Sequence, residues 1–383
     1  MKKVGIITFH NSYNCGSMLE SYAMQTILEK KGIKAEIVNF SSKGQKDLYS
    51  VWFKNNTIKN IVKNIVLIPY HKRLKNNNSK YEEFKIKNFK LSKEYTDNDN
   101  ISEKNYKIVV AGSDQIWNIT IKDADDCYFL NWVKKAKKVA YAPSFGAKKI
   151  LKYSDNPNKY IDYLNSFDSL SIRENNGQKW LKEMINKDVP VLLDPTLLLE
   201  KKDYDKIMAK DVNVNYKYIF FYSPSFNIDI CKYVKSIADK YDLKVITWST
   251  KSYCTKRIKK FGFILPEYES PSMYLYLIKN AELVMTTSFH GTIFSTIYRK
   301  KFITIKNGEM FGDDDRVITL LKQIGMEDRL IKYDFDENFD YLKDIDYSNY
   351  DILLPKLQKK ANKFLEENVV KYYNENSSKK SSI

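Results

Sequence analysis

One stretch, LVMTTSFHGTIFSTI from Leu283 to Ile297, constrains the chain most. Leu283, Val284 and Met285 form an apolar run suited to a buried strand. Thr286, Thr287 and Ser288 then turn it, and Thr292 to Tyr298 sets Ile293, Phe294 and Ile297 on one helical face. A strand that feeds a helix through a polar turn is the repeating unit of α/β folds with parallel sheets. Such turns lie where those sheets bind ligands, and the unpaired N–H groups that open a helix favour an anion. His290 occupies this turn and is one of three histidines in 383 residues. Its imidazole can give and take protons near neutral pH. A packed histidine beside a helix cap is the alternative reading.

The pattern recurs along the chain. Val4 to Phe9 reads as a strand, His10 to Ser17 as a loop, and Met18 to Lys31 as a helix stopped by Gly32. Ile33 to Phe40 returns as a second strand. Further strands are expected at Lys107–Ala111, Lys138–Ala142, Asp168–Ile172 and Val189–Asp194, several ending in polar turns, as at Gly112-Ser113-Asp114 and Arg173-Glu174. Gly177–Ile185 reads as a helix. After Glu200 the series restarts, with strands at Tyr218–Tyr222, Lys244–Thr247 and Phe302–Ile305. Helices follow at Ile228–Lys240, at Pro271–Asn280 behind a Ser270 cap, and from Arg316 to Ile324. Ile352–Tyr373 reads as a long helix, and the Asn-Ser-Lys tail to Ile383 as disordered. The expected organisation is a first α/β domain over 1–200, with a Lys/Asn-rich helical insertion at 41–100. A second α/β domain covers 201–345, and a C-terminal helix and tail cover 346–383. Two such domains facing each other across a cleft suit an enzyme that joins a donor to an acceptor.

Bulk properties narrow the classes. No apolar run nears the roughly 20 residues needed to span a bilayer. MKKVGIITFHNS reads as a first strand, not a signal peptide. Cys15, Cys127, Cys231 and Cys254 are scattered without a CxxC, which predicts reduced thiols in a cytosolic protein. The net charge of +17 comes from lysines spread along the chain with no aromatic-basic module, so no nucleic-acid partner is expected. Ile58, Ile61, Val62, Ile65 and Val66 make an apolar helical stripe flanked by Lys59 and Lys63. Packing on a domain is expected of it, and contact with an anionic membrane is the alternative.

Among candidate chemical groups, Arg173 offers a planar fork for carboxylate or phosphate. Gly312 to Arg316, GDDDR, reads as a helix cap and not a metal loop, and no metal site is expected. Asp123 to Asp126 is too short a pattern to carry a glycosyltransferase DxD. Cys15 reads as a small residue in a tight turn, not a nucleophile. There is no GxSxG, Walker A or HExxH.

Four stretches together resemble the polysaccharide pyruvyl transferase family over nearly the full length. They are Asn14-Cys15-Gly16 with LESYAMQTILEKKG, GSDQIWN from Gly112, SIRENNG from Ser171 with LLDPTLLL from Leu192, and SFHGTIFS from Ser288. The resemblance implies two facing Rossmann-like domains similar to GT-B glycosyltransferases. It implies phosphoenolpyruvate as donor and transfer of pyruvate onto two hydroxyls of one sugar as a ketal, with phosphate released and no cofactor. It makes His290 the catalytic histidine, as general acid, and Arg173 the donor-binding arginine. Beyond what the resemblance carries over, Asn14, Gly16, Ser113, Asp114, Glu174, Ser288, Gly291 and Arg316 are expected in the substrate site, and Asp114 or Glu174 is the base by its position alone. Many members carry Arg where this chain has Ser288, and Arg316 or Lys306 is the candidate replacement. The expected acceptor is a sugar or lipid-linked oligosaccharide of a cell-surface polysaccharide, met in the cytoplasm or at the inner face of the membrane. A nucleotide-sugar glycosyltransferase and a non-catalytic glycan-binding relative are the competing readings.

Overall fold

The computed structural model describes residues 2–96, 98–306 and 314–378. Among the described residues, ten strands form two parallel five-stranded sheets. The first joins β1 (Lys3–Ile7), β2 (Ala35–Ile37), β3 (Tyr106–Ala111), β4 (Lys137–Ala140) and β5 (Ser169–Leu170) in the order β2-β1-β3-β4-β5. The second joins β6 (Tyr218–Tyr222), β7 (Lys244–Thr247), β8 (Leu283–Thr286), β9 (Phe302–Lys306) and β10 (Leu330–Lys332) in the order β10-β9-β8-β6-β7. Read from β7, the second sheet repeats the strand order of the first. In each, the chain leaves its opening strand to one side and later returns to the other, so switch points fall between β1 and β3 and between β6 and β8. Ligands bind at such points in open α/β sheets. These are the two Rossmann-like domains expected from the sequence.

The strands read as near-continuous apolar runs because both sheet faces are covered. Val4, Ile6, Ile108 and Val110 are fully buried in the first sheet, and Ile219, Phe221, Leu283 and Met285 in the second. The helices of the first half are α1 (Cys15–Lys30), α2 (Lys43–Tyr49), α3 (Ile58–Leu67), α4 (His71–Asn88), α5 (Ile150–Tyr153), α6 (Pro157–Asn165) and α7 (Asn175–Ile185). Those that follow are α8 (Lys201–Asp205), α9 (Ile228–Lys240), α10 (Thr250–Thr255), α11 (Pro271–Asn280), α12 (Phe289–Ile297), α13 (Arg316–Gln323), α14 (Ser348–Leu365) and α15 (Lys371–Ser378).

Several expectations need correcting. Val189–Asp194 is not a strand: Pro190 has no N–H to donate, and the segment pairs only through an isolated Ile172–Val191 bridge. The long C-terminal helix is broken by a π turn over Glu366–Val370. Gln358 donates to the Leu197 carbonyl (2.7 Å), and Ser169 Oγ donates to Asn368 Oδ1 (2.7 Å), so this helix returns to the first half of the chain. The stripe over 58–66 is helical as expected, but it does not pack: all five of its residues are exposed. Gly312 and Asp313, and the tail residues 379–383, lie outside the described residues.

The insertion ties the two halves together. Asn77 of α4 accepts from Glu269 N (3.0 Å) and donates to Thr250 Oγ1 (3.2 Å). On the opposite flank, the N–H of Asn175 donates to Thr319 Oγ1 (3.3 Å) and that of Asn176 to Asp315 Oδ2 (3.0 Å). The carboxyl ends of the strands therefore meet in one cleft.

Candidate functional site

His290 lies in the first turn of α12, not in the turn before it, because the helix starts at Phe289. Ser288 is its N-cap and accepts from Gly291 N at 3.3 Å. Capping is thus the work of the Ser288 side chain. The other hydroxyls of the turn are engaged internally. Thr286 Oγ1 donates to the Tyr222 carbonyl (2.7 Å), and Thr287 shares a hydrogen bond with Ser223 (2.8 Å). A Cβ at Gly291 would lie 2.3 Å from Thr286 Oγ1, so only glycine fits beneath the helix start.

A second helix start faces the first. Asn14 caps α1 by accepting from Gly16 N at 2.9 Å. A Cβ at Gly16 would fall 2.4 Å from His290 Nδ1, which makes the missing side chain the reason the imidazole can stand against α1. Cys15 beside it is buried, 3.2 Å from the Tyr81 hydroxyl, and burial pushes its thiol well up. It is a packed residue, but of the first turn of α1 and not of a tight turn, because the helix starts at Cys15 and not at Met18.

Asp194, which sequence reasoning did not single out, connects these parts. It sits in LLDPTLLL at the end of an apolar run and before Pro195, and that placement was its one visible signal. Its Oδ2 accepts from Arg173 Nη1 (2.9 Å) and Ser113 Oγ (2.9 Å), and its Oδ1 from Thr196 N (3.0 Å) and Oγ1 (2.6 Å). His290 Nε2 stands 3.5 Å from Oδ2, an ion-pair distance longer than a well-formed hydrogen bond. Burial alone would raise this carboxyl, but His290, Arg173 and Thr196 together hold it well below the usual carboxylate range.

Arg173 is buried between Asp194 and Asp114, the latter 3.8 Å from Nη2, and its guanidinium lies 4.3 Å from the centre of the Phe289 ring. Asp114 holds a left-handed backbone (φ 72°) and accepts from Ser17 Oγ and Gln115 N. Behind it Ser113 N donates to Glu20 (3.0 Å), whose carboxyl burial raises well above its ordinary range. Glu174 Oε1 accepts from Phe145 N (2.9 Å) and Ser144 Oγ (3.0 Å). Burial pushes its carboxyl up to about 7, against the pull of Arg173 and Arg316. Arg316 donates to Asp314 through Nε and Nη2, both at 2.8 Å. Asp315 occupies the N-cap position of α13 without capping it, since its carboxylate is turned to Asn176 and Thr319.

The structure thus brings nine of the ten sequence-chosen residues into two joined networks or against the helix starts that face them, and Arg316 reaches them through Glu174. Three buried polar atoms here have no hydrogen-bond partner among the described residues: Arg173 Nε, Glu174 Oε2 and His290 Nε2. No group of three His, Cys, Asp or Glu residues among the described residues is placed to hold a metal ion, and no helix is long and apolar enough to cross a membrane. Beside the site, a cavity of about 370 Å³ opens between the loop after β1 and the insertion. Asn11, Tyr13, Asn39, Gln45, Tyr49 and Glu82 help to line it. Tyr13 stacks on Tyr81 (5.1 Å), and the buried Gln45 side-chain amide has no hydrogen-bond partner among the described residues.

No curated protein matches the chain in sequence. Among solved structures, UDP-N-acetylglucosamine 2-epimerase from Rickettsia bellii is similar at 13% identity and a TM-score of 0.49, with 98% of each chain covered. UDP-GlcNAc 2-epimerase from Neisseria meningitidis is similar at 12% identity and 0.46, covering 96% of this chain and all of that one. E. coli heptosyltransferase WaaC is similar at 12% and 0.38, with 80% and 89% covered. The sequence profile of polysaccharide pyruvyl transferases matches residues 14–309, from the Asn14 cap to beyond His290, and the chain belongs to that family.

Proposed function

We propose that this protein moves pyruvate from phosphoenolpyruvate onto two hydroxyls of one saccharide, forming a cyclic ketal and releasing phosphate. The observation that carries this reading is that Arg173 Nε, Glu174 Oε2 and His290 Nε2 are buried with no hydrogen-bond partner among the described residues, on side chains that meet around Asp194 and Arg173 beside two helix N-termini, His290 Nε2 having only the 3.5 Å ion-pair approach of Asp194. Such atoms cost free energy until something occupies them. A cation donor, a proton acceptor and an imidazole in one cleft suit an anionic enol ester and an incoming hydroxyl.

In this reading His290, as imidazolium against Asp194, protonates the methylene carbon. C2 gains oxocarbenium character and takes the first sugar hydroxyl, the C–O bond to phosphate breaks, and the second hydroxyl closes the ketal. One hydroxyl hydrogen ends on the methyl group by way of His290, and the other leaves with phosphate. No oxidation state changes overall, so no redox cofactor enters. Glu174, with its carboxyl near 7, is the base for an attacking hydroxyl. Arg173 is half committed to Asp194, so it orients that carboxylate and offers the donor only Nε and Nη2. Arg316 and the two helix starts supply the remaining attraction for the anion, in place of the arginine that Ser288 replaces. The tyrosine-lined cavity beside the site is the place we assign to the acceptor. Its amide, hydroxyl and carboxylate groups suit sugar hydroxyls, and the acceptor is a saccharide free or carried on a lipid.

Ligand-dependent melting tests the donor. A ligand that binds only the folded state at about 100 times its Kd stabilises it by ~2.7 kcal/mol. Phosphoenolpyruvate is expected to raise the melting temperature of the wild type and not of Arg173→Ala. A shift with a nucleotide sugar instead would transfer the assignment to a glycosyltransferase. With an acceptor in hand, His290→Ala is expected to bind phosphoenolpyruvate yet release phosphate about 10²–10⁴-fold more slowly. Donor binding by the wild type without phosphate release on any acceptor would favour a glycan-binding relative.

A further inference from the structure

We infer that α3 is a docking face for an anionic lipid surface. Ile58, Ile61, Val62, Ile65 and Val66 recur at helical spacing and all face solvent, Ile58 at 82% and Ile65 at 60% exposure. Ile68 in the following turn extends the patch, also at 60%. A contiguous aliphatic face of this kind marks an interaction site, unlike scattered single residues.

The helix is fixed in this attitude. Thr57 caps it by accepting from Asn60 N (3.2 Å), and the Asn64 side chain grips the backbone of Phe53 at both N and O (2.9 Å each). It lies against α10, Leu67 is fully buried, and downstream Arg73 anchors on Thr250 and Pro266. The core therefore holds the side chains beneath α3 and turns the aliphatic stripe outward.

Charge selects the occupant. Lys54, Lys59, Lys63, Lys72, Arg73, Lys75 and Lys80 fall between residues 54 and 80, with no Asp or Glu among them. Arg73 is engaged with the second domain, Lys54 pairs with Asp47 and Lys80 with Glu83, whereas Lys59 of α3 and Lys72 and Lys75 in the first turns of α4 are exposed. Trp52, stacked on His71 at 5.0 Å, sits at its edge. An aliphatic stripe rimmed by lysines with an amphipathic aromatic is suited to the headgroup boundary of an anionic bilayer. A second copy of this chain would fit poorly, because a two-fold contact would set the lysines against themselves.

The location has a use. α4 runs from this patch to the tyrosine-lined cavity, whose lining residues Asn78, Glu82 and Lys85 lie roughly 10–20 Å along that helix from His71. A saccharide borne on a membrane lipid would be within its reach. The docking face itself stands whichever donor the cleft takes.

Co-sedimentation of the full chain with vesicles tests it without any activity assay. Phosphatidylcholine vesicles containing phosphatidylglycerol are expected to carry the protein down, phosphatidylcholine alone is not, and added salt is expected to release it. The double variant Ile61→Glu/Ile65→Glu, at exposed positions and checked for an unchanged melting temperature, is expected to bind about tenfold more weakly or less. Lys59→Glu/Lys72→Glu tests the charge and is expected to lose the preference for the anionic lipid. Failure to sediment with anionic vesicles, or equal binding by the Ile variant, would overturn the proposal. A dimer in light scattering that the Ile variant dissolves would overturn it in favour of self-association.

Discussion

Glu174→Gln isolates one buried carboxyl whose energetics follow from the geometry. Glu174 is 1% exposed, and its Oε1 accepts two hydrogen bonds that a glutamine oxygen can keep. Burial raises the carboxyl from 4.5 to about 7, with Arg173 and Arg316 opposing. A rise of that size corresponds to about 3 kcal/mol. The folded state binds the proton more tightly than the unfolded chain. The stability linked to this proton is therefore fully present below the unfolded pKa and is lost as pH rises through about 7. The wild type should thus lose about 3 kcal/mol relative to Glu174→Gln between roughly pH 4 and pH 8. At ~2.1 cal/mol/K of unfolding entropy per residue, that is about 4 °C in melting temperature if the whole chain unfolds together, and about 7 °C if the first 200 residues do. Denaturant midpoints of both proteins across a pH series give the difference directly. A gap that does not change with pH would refute the assignment of the raised carboxyl to Glu174. In turnover, kcat/KM of the wild type should rise with pH through about 7, and the variant should lack that limb.

Three further substitutions probe the same cleft. Gly16→Ala puts a methyl group 2.4 Å from His290 Nδ1 and should cost about 10²-fold or more in turnover through displacement of the ring, with full activity counting against the reading. Asp194→Asn takes away the Arg173 cation's closest ion pair and leaves Asp114, at 3.8 Å, as its nearest remaining carboxylate, and should destabilise by about 3–5 kcal/mol in denaturant unfolding. Because the Asp194 carboxyl is held down in the folded state, that cost should be present above about pH 4 and shrink as pH falls below it; a cost that persists undiminished in acid would argue against the ion pair. Ser288→Ala removes the α12 cap and should cost about 1 kcal/mol, read as a shift in thermal midpoint.

Four elements of the second half were legible to the residue, whereas α10 and β10 there were not read at all. Tyr218–Tyr222, Ile228–Lys240, Lys244–Thr247 and Pro271–Asn280 all stand as the sequence predicts, because Asn227 and Ser270 cap their helices and the strands between are unbroken apolar runs. Val189–Asp194 misled for the opposite reason. Its side chains suit a strand, but Pro190 removes a donor, and the run serves to deliver Asp194 instead. The helix start at Phe289 was hidden because it depends on a cap hydrogen bond that Ser288 makes only once the turn is formed.

Asp194 and the α3 stripe mark two limits of a linear reading, and the two differ in kind. Asp194 takes its meaning from Ser113 and Arg173, which follow two different strands of the first sheet, and from His290 in a helix of the second domain. No local spacing encodes that meeting; it arises because both sheets share one strand order and present their switch points to each other. The α3 stripe was fully encoded, yet a period of 3.6 residues states only that one face is apolar, not what covers it. Covering it would cost nothing in local structure, since the cap and the Asn64 clasp act through backbone groups that any burial partner would leave intact. Among the described residues nothing covers the face while Leu67 directly behind it is buried, and on the docking proposal the partner therefore lies outside the fold, with its charge set by the lysines around the stripe.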